Sequence, residues 1–174
     1  MEFNMLVKAQ IFTILQKYGF EIAEERKNIL LFQSSGMKVN IVFNRYDRSF
    51  LVEIGKQDNE LYPLNDYVVK ELFHSSLSVE QVTPEIFVQN LSAIFCTPEG
   101  IELLQGNVKS MKSIAIQQSD NYTSELLLNQ GLEVASRAWE AKNYIAFVES
   151  INKIGISKIP QLYQLKYKIA KQKL

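Results

Sequence analysis

Two side chains suited to catalysis or metal binding, His74 and Cys96, occur once each in the 174-residue chain. A single cysteine excludes an intrachain disulfide framework and a multi-cysteine zinc site, and a single histidine excludes a two-histidine zinc site. His74 ends a segment of helical spacing, where a protonated imidazole interacts favourably with the helix dipole. Cys96 follows Ile94 and Phe95 on an apolar stretch, whereas reactive thiolates favour electropositive, partly exposed surroundings. We therefore predict a structural histidine and a buried, unreactive thiol.

Carboxylates offer another route to catalysis, and five of them lie on or near the predicted strands. They are Asp47, Glu53, Asp58, Glu60 and Asp66. A glycosidase or a metal site needs such acids to converge in a pocket, whereas turn formation alone accounts for Asp47 and Asp58. No glycine-rich loop matches a dinucleotide fingerprint or a P-loop. The sequence thus predicts no catalytic residue, no cofactor and no metal, with an enzyme that uses carboxylates at the sheet rim as an alternative.

The spacing of apolar residues along the chain indicates which helices and strands position these side chains. Residues 3–18 have apolar side chains at helical spacing, and residues 20–54 alternate with the period of strands. A short fifth strand is possible at 61–64, and Asn65, Thr83 and Thr97 are N-caps of later helices. We expect an α+β fold, with an N-terminal helix packed on a four- to five-stranded antiparallel meander and an all-helical C-terminal half. The predicted regions are 1–64, helix plus sheet, and 65–174, helices packed on it in one compact unit.

Three turns determine the predicted strand pairing, at Tyr46-Asp47, at Ser35-Gly36 and at residues 25–27. Apolar residues then meet across the strands on one face, as expected for a register fixed by burial. We predict that this face lies beneath the N-terminal helix. The proposed pairs are Phe43 with Phe50, Ile41 with Val52, Val39 with Ile54, Phe32 with Val39, Leu30 with Ile41, Ile22 with Leu30 and Phe20 with Phe32.

The opposite sheet face and the tip of the third hairpin carry candidate binding residues. That face mixes apolar and charged side chains, so it is either partly covered or available to a partner. The tip combines arginine and tyrosine, which are enriched at interaction hot spots. The candidate binding residues are Leu31, Val42, Leu51 and Glu53 on the face and Arg45, Tyr46 and Arg48 at the tip.

The C-terminal region is predicted to contain helices at 108–118, 122–141, 143–154 and 158–173. Trp139 shares a stripe with the small residues Gly131, Ala135 and Ala138, which allow a neighbouring helix to approach closely. We therefore predict that Trp139 is buried between the last three helices, near Tyr144 or Phe147.

The distribution of charge along the chain indicates which kinds of partner the protein could bind. Net charge is zero, yet after Glu149 there are six lysines and no acid. The lysines of the last helix spread over more than half of its circumference, whereas a phosphate-tracking stripe would gather on one face. A nucleic-acid-associated protein is therefore an alternative that the pattern does not favour. An acidic N-terminus and the lack of any run of about 18 apolar residues predict a cytoplasmic protein without a membrane span.

Two resemblances add to this picture. Glu133–Pro160, with Ala135, Tyr144 and Ile151, resembles one degenerate tetratricopeptide-type hairpin, although the aromatic and Leu-Gly positions of its first helix are missing. The strand-tip run YDRSFLVEIG, followed by RAWEAKNY and LKYKIAKQ, resembles small uncharacterised bacterial α+β proteins, some of which are similar to immunity proteins of polymorphic toxin systems. That resemblance implies a non-enzymatic protein that acts by binding a toxin domain.

We therefore expect a cytoplasmic protein-binding module, either a toxin-neutralising (immunity-like) factor or an accessory factor. The partner's identity and the oligomeric state remain open at this level.

Overall fold

The computed structural model describes residues 2–58 and 60–174. The chain separates into two compact units, the first up to Ile116 (unit 1) and the second from Gln117 to Leu174 (unit 2). An N-terminal helix precedes a five-stranded antiparallel sheet, and helices follow to the end. The predicted α+β fold is confirmed.

The N-terminal helix consists of α1 (Phe3–Val7), a π-helical segment (Lys8–Phe12) and α2 (Thr13–Gln16). Its apolar side chains pack on the sheet: the Phe3 ring lies 5.3 Å from Phe43, and Phe12 lies 5.6 Å from Phe32. The side chains that it buries are Phe3, Leu6, Val7, Ile11 and Leu15. The helix thus covers the predicted face.

The sheet is a meander in the order β1-β2-β3-β4-β5. Its strands are β1 (Glu21–Arg26), β2 (Ile29–Gln33), β3 (Met37–Asn44), β4 (Ser49–Lys56) and β5 (Leu61–Pro63). The predicted pairs across the two central hairpins are confirmed, including Phe43 with Phe50 and Leu30 with Ile41. The short fifth strand also forms.

The first hairpin departs from the prediction. Ile22 pairs with Phe32 rather than with Leu30, and Phe20 precedes the strand. Arg26 pairs with Ile29, so the turn begins two residues later than expected. Within this turn Asn28 takes a left-handed conformation at φ 63°, which asparagine tolerates. A bulge between Ile22 and Glu24 absorbs the extra residue.

Burial on the covered face follows the prediction with two exceptions. Ile22 and Phe43 are half-buried, because they lie on an edge strand and at the end of β3. The buried members are Phe20, Leu30, Phe32, Ile41, Phe50, Val52 and Ile54.

The sheet of unit 1 is followed by α3 (Asp66–Phe73), α4 (Pro84–Phe95) and α5 (Pro98–Leu104). The Asn65, Thr83 and Thr97 side chains accept hydrogen bonds from the backbone N–H groups three residues later, so all three predicted caps are confirmed. These helices bury apolar residues in the same core as the sheet. The two compact units divide after Ile116. The boundary between the predicted regions, at residue 64, is where the chain changes from strands to helices.

One long helix, α6 (Lys109–Glu140), replaces the two helices predicted at 108–118 and 122–141. Neither proline nor glycine occurs between 107 and 130, so nothing interrupts the backbone hydrogen bonding there. Next come α7 (Tyr144–Ile154), a short 3-10 turn (Ile156–Lys158) and α8 (Gln161–Gln172). Among the helices of residues 2–58 and 60–174, none combines the length and hydropathy needed to cross a bilayer.

Unit 2 has a small core of its own. It contains Ala135, Phe147, Val148, Ile151, Ile159, Tyr167 and Ala170. Trp139 packs edge-on against Tyr144 at 5.6 Å and Phe147 at 5.2 Å, as predicted, but its side chain is half-buried rather than buried. Trp139 lies in the last turn of α6, where fewer side chains surround the ring.

An ion pair ties the N-terminal helix to the end of β1. Lys8 Nζ lies 2.9 Å from Glu25 Oε1, and Asn4 Nδ2 donates to the same oxygen at 3.2 Å. The hydrogen bond from Lys8, followed by that from Asn4, lowers the pKa of Glu25 below its ordinary value. Because the folded-state pKa is the lower one, this contribution to stability is present above the ordinary pKa and is lost as pH falls through the folded-state value.

Glu25→Gln is therefore expected to lower the free energy of unfolding at pH 7. The difference from the parent should shrink as pH falls below the ordinary glutamate pKa of about 4.3, because the parent carboxylate then protonates at its lowered folded-state pKa. Urea unfolding of both proteins between pH 3 and pH 7 measures this. A difference that does not change with pH would show that the ionised carboxylate plays no part.

Candidate binding surface

The tip of the β3–β4 hairpin is a four-residue loop, Arg45–Arg48, between the paired residues Asn44 and Ser49. Asn44 Oδ1 accepts a hydrogen bond from the Tyr46 backbone N–H at 3.1 Å. Asp47 Oδ1 accepts from the Ser49 backbone N–H at 3.0 Å and from its hydroxyl at 2.6 Å. Side chains at both ends thus hold the loop in one conformation.

The Asp47 carboxylate strengthens that arrangement. The hydrogen bond from the Ser49 hydroxyl, followed by that from the Ser49 backbone N–H, lowers the pKa of Asp47. These hydrogen bonds lower the pKa because they favour the charged form of the carboxylate. The predicted role of Asp47 as a turn residue agrees with this geometry.

The side chains of the tip project into solvent. Tyr46 is 101% exposed, and Arg45 and Arg48 are also exposed. Because no other side chain surrounds the Tyr46 ring, the ring does not stabilise the fold. It projects from a loop whose backbone is held by hydrogen bonds. The tip therefore presents one aromatic and two guanidinium groups in a defined position.

Arg48 has a left-handed backbone conformation, with φ 58°. Non-glycine residues in this region cost about 1–2 kcal/mol, whereas glycine in an ordinary conformation destabilises by about 0.5–1 kcal/mol. We expect Arg48→Gly to be at least as stable as the parent and more stable than Arg45→Gly by about 1 kcal/mol. Urea unfolding of the two variants tests this, and a less stable Arg48→Gly would contradict it.

The sheet face opposite the N-terminal helix is called here the open sheet face, and it consists of Ile29, Leu31, Asn40, Val42, Leu51 and Glu53. Cross-strand pairing places these residues in two adjacent rows, Ile29–Val42–Leu51 and Leu31–Asn40–Glu53. Leu51 is 42% exposed, and the other five are half-buried. Glu53 Oε2 accepts a hydrogen bond from Asn40 Nδ2 at 3.0 Å. The first row is a continuous apolar strip.

The structure brings the sequence-predicted binding residues together on one surface. The apolar row of the open sheet face lies one same-face pair away from the tip, the intervening pair being Asn44 and Ser49. Ile29 and Asn40 also belong to this surface, although the sequence analysis did not select them as candidates. The alternation along β2 signals Ile29, since its side chain shares a face with Leu31.

The other candidate residues are dispersed. His74 is exposed and left-handed at the C-terminal end of α3, in agreement with its predicted structural position. Cys96 is exposed at the C-terminal end of α4, so the prediction of a buried thiol was wrong. Helical periodicity continued past Phe95 would bury the thiol, but α4 ends at that residue.

Three of the five candidate carboxylates, Asp47, Glu53 and Asp66, have separate hydrogen-bond partners. Asp66 accepts hydrogen bonds from the Ser78 hydroxyl and the Val79 backbone N–H, both at 2.6 Å, which anchors the segment between α3 and α4. Asp47 belongs to the tip and Glu53 to the open sheet face. Within residues 2–58 and 60–174, no group of three or more histidine, cysteine, aspartate and glutamate side chains is arranged to hold a metal ion.

Unit 2 contains a wide groove of about 950 Å³ between α6 and α7. Its floor is apolar and includes Leu128, Gly131 and Ile154, and its charged lining residues are Glu125, Lys153 and Lys158. A Cβ at Gly131 would lie 2.8 Å from Ile154 Cγ1, so glycine is what allows the two helices to approach there. One acid facing two lysines does not form a paired-carboxylate site.

Aromatic rings engage three of the C-terminal lysines. Lys166 Nζ lies 5.4 Å from the centroids of both Trp139 and Tyr163, and Lys171 Nζ lies 5.4 Å from Tyr167. Lys173 Nζ lies 4.8 Å from the ring of Tyr144 and donates to its hydroxyl at 3.1 Å. These cation–π contacts turn the ammonium groups toward the protein.

Comparison of the chain with protein-family models, with curated proteins and with solved structures finds no match.

Proposed function

We propose that this protein is a non-enzymatic protein-binding module that engages its partner through the hairpin tip and the open sheet face. The observation that carries the proposal is the continuity of one surface, from the exposed Tyr46 at the tip to the partly exposed apolar row that ends at Leu51. Rigid aromatic and arginine anchors beside apolar area are the composition of interaction hot spots.

The chemistry of this surface indicates what the partner presents. The two tip guanidinium groups are planar donors suited to carboxylates, and the Tyr46 ring supplies contact area at low entropic cost because its loop is already ordered. The apolar row needs an apolar counterpart. The expected partner surface is therefore acidic where it meets the tip and apolar where it meets the sheet.

The biological role that fits this activity is a toxin-neutralising factor or an accessory factor in the cytoplasm. Such a protein acts by covering a functional surface of its partner, which requires no catalytic group. The resemblance to small uncharacterised bacterial α+β proteins, some of which are similar to immunity proteins, implies the same kind of role.

The two alternatives have less support. Three C-terminal lysines lie against aromatic rings rather than forming a free basic stripe, which argues against nucleic-acid recognition. An enzyme at the sheet rim would need convergent carboxylates, but Asp47 and Asp66 each form hydrogen bonds with different loops.

The test begins with capture of a partner from the native host by the parent protein. The same capture is repeated with Arg45, Tyr46 and Arg48 changed together to Ala. We expect the purified partner to bind the triple variant at least about 30-fold more weakly, corresponding to a loss of about 2 kcal/mol. Equal affinity would show that the tip is only a turn.

A further inference from the structure

Unit 2 exposes large apolar side chains on each of its three helices. They include Tyr122 and Leu126 on α6, Ile145 on α7, and Leu162, Leu165 and Ile169 on α8. Scattered apolar residues are ordinary on a surface, but apolar patches rimmed by polar residues indicate interaction sites. The α8 residues follow the spacing i, i+3, i+7 and so form one stripe, called here the α8 stripe.

The opposite side of α8 is already occupied. Tyr167 and Ala170 are buried in the core of unit 2, while Leu165 is 53% exposed. The helix is therefore apolar on two faces, and the core accounts for only one of them. The α8 stripe is an apolar surface without a counterpart in unit 2.

The α6 segment at the start of unit 2 also has apolar side chains that are not buried in a core. None of residues 117–130 is buried, although they include Tyr122 and Leu126 at the spacing i, i+4. Leu128 is the member of this segment that packs against the core of unit 2, whereas Tyr122 is 68% and Leu126 44% exposed. Tyr122 and Leu126, called here the α6 stripe, form a second apolar surface.

The two stripes lie on segments of opposite charge. Residues 117–140 carry four acids and one base, whereas residues 150–174 carry six lysines and no acid. Three of these lysines contact aromatic rings of unit 2, but they keep their charge. Lys168 is exposed on α8, and Glu125 is exposed beside the α6 stripe. One chain therefore contains both halves of a complementary pair, an acidic amphipathic segment and a basic one.

We propose that the protein forms a symmetric dimer in which the α8 stripe of each copy packs on the α6 stripe of the other. A twofold axis produces this contact twice, because in an isologous interface residue i meets residue j and j meets i. Each contact buries apolar side chains between helices of opposite charge. The two stripes share no residue with the tip or the open sheet face.

Two single variants and their mixture test the pairing. Leu126→Lys places a cation facing the basic helix, and Leu165→Glu places an acid facing the acidic segment. Each pure variant is expected to be monomeric, with its dimer weakened at least about 30-fold. An equimolar mixture should form a mixed dimer, because one contact then opposes the introduced lysine to the introduced glutamate and the other contact is native.

Sedimentation velocity at 10–100 µM protein, on the order of concentrations used for weak dimers, measures the mass of each species. The parent should sediment as a dimer, and the matched control Ile86→Lys, at a comparably exposed position on α4 of unit 1, should remain dimeric. Circular dichroism confirms that the variants are folded. Tyr122→Lys and Leu162→Glu repeat the mixing experiment if either first variant fails to fold.

Several results would overturn the proposal. They are a monomeric parent, single variants that remain dimeric, and a mixture of folded variants that stays monomeric. A monomeric parent that binds vesicles containing phosphatidylserine through the α8 stripe would assign that surface to anionic lipid instead.

Discussion

Replacing Phe50 by Ala is expected to lower the free energy of unfolding by about 3–5 kcal/mol, the range for deleting a buried phenylalanine. The Phe50 ring stacks on Phe87 of α4 at 4.2 Å and on Phe43 of β3 at 4.9 Å. It also lies 6.0 Å from Phe3 of the N-terminal helix. Since one side chain joins the sheet to two helices, its loss leaves a cavity where three elements meet.

Two matched variants separate this effect from a general sensitivity of the hairpin. Phe43 is half-buried, so Phe43→Ala should cost about 1–2 kcal/mol, less than a fully buried ring. Tyr46→Ala should change the free energy of unfolding by no more than about 0.5 kcal/mol, as for other exposed sites. Urea unfolding followed by circular dichroism gives all three values. A cost below about 1 kcal/mol for Phe50→Ala would contradict the packing described.

Gly100→Ala is expected to lower the free energy of unfolding by about 2–3 kcal/mol or more. A Cβ at Gly100 would lie 2.1 Å from the carbonyl oxygen of Ile94 and 2.9 Å from Phe95 Cα. Both are backbone atoms and cannot rotate away. The contact exists because α5 begins directly after α4, with Thr97 Oγ1 donating to the Ile94 carbonyl at 2.7 Å and accepting from the Gly100 N–H at 3.0 Å.

Gly36→Ala is the matched control. Nothing lies within 4 Å of a Cβ at that position. Alanine there should be neutral or should stabilise by up to about 1 kcal/mol, because it reduces the freedom of the unfolded chain. Thermal unfolding of both variants compares them directly. If Gly100→Ala unfolds at the temperature of the parent, the backbone around α5 is not packed as described.

The hairpins show which parts of the fold the sequence determines locally. In β2, β3 and β4, alternation and turn residues agree on one register, because slipping by one residue would expose every core side chain. In β1 they disagree: the bulge near Ala23 shifts the pairing, and the left-handed Asn28 moves the turn. Apolar alternation alone does not reveal a bulge, so the predicted register was wrong there.

Helix ends and the burial of side chains could also be predicted only in part from the sequence. Thr83 and Thr97 could be identified as caps because a hydroxyl followed by proline acts within one turn of chain. The exposure of Cys96 and the partial exposure of Trp139 depend on what other elements leave uncovered, which periodicity does not contain. The single α6 helix replaces two predicted helices because the residues between them, 119–121, include neither proline nor glycine, and the helix continues through them.

The candidate binding surface, too, could be predicted only in part from the sequence. Tyr46 and its arginine neighbours could be placed at a hairpin tip, since the flanking registers require a turn there. The sequence did not show that the face containing Leu51 stays open, because covering it would need only one more helix. The Asn44 and Asp47 side-chain hydrogen bonds that fix the tip follow from local turn chemistry.

The most direct test of protein binding through this surface is the affinity of the captured, purified partner for two variants, Leu51→Glu and Ile86→Glu. The two side chains are similarly exposed, at 42% and 44%, and both lie in unit 1, but only Leu51 belongs to the open sheet face. Isothermal titration calorimetry should show that Leu51→Glu weakens binding by at least about 30-fold while Ile86→Glu binds like the parent. Equal affinities for Leu51→Glu and the parent would contradict binding through the open sheet face.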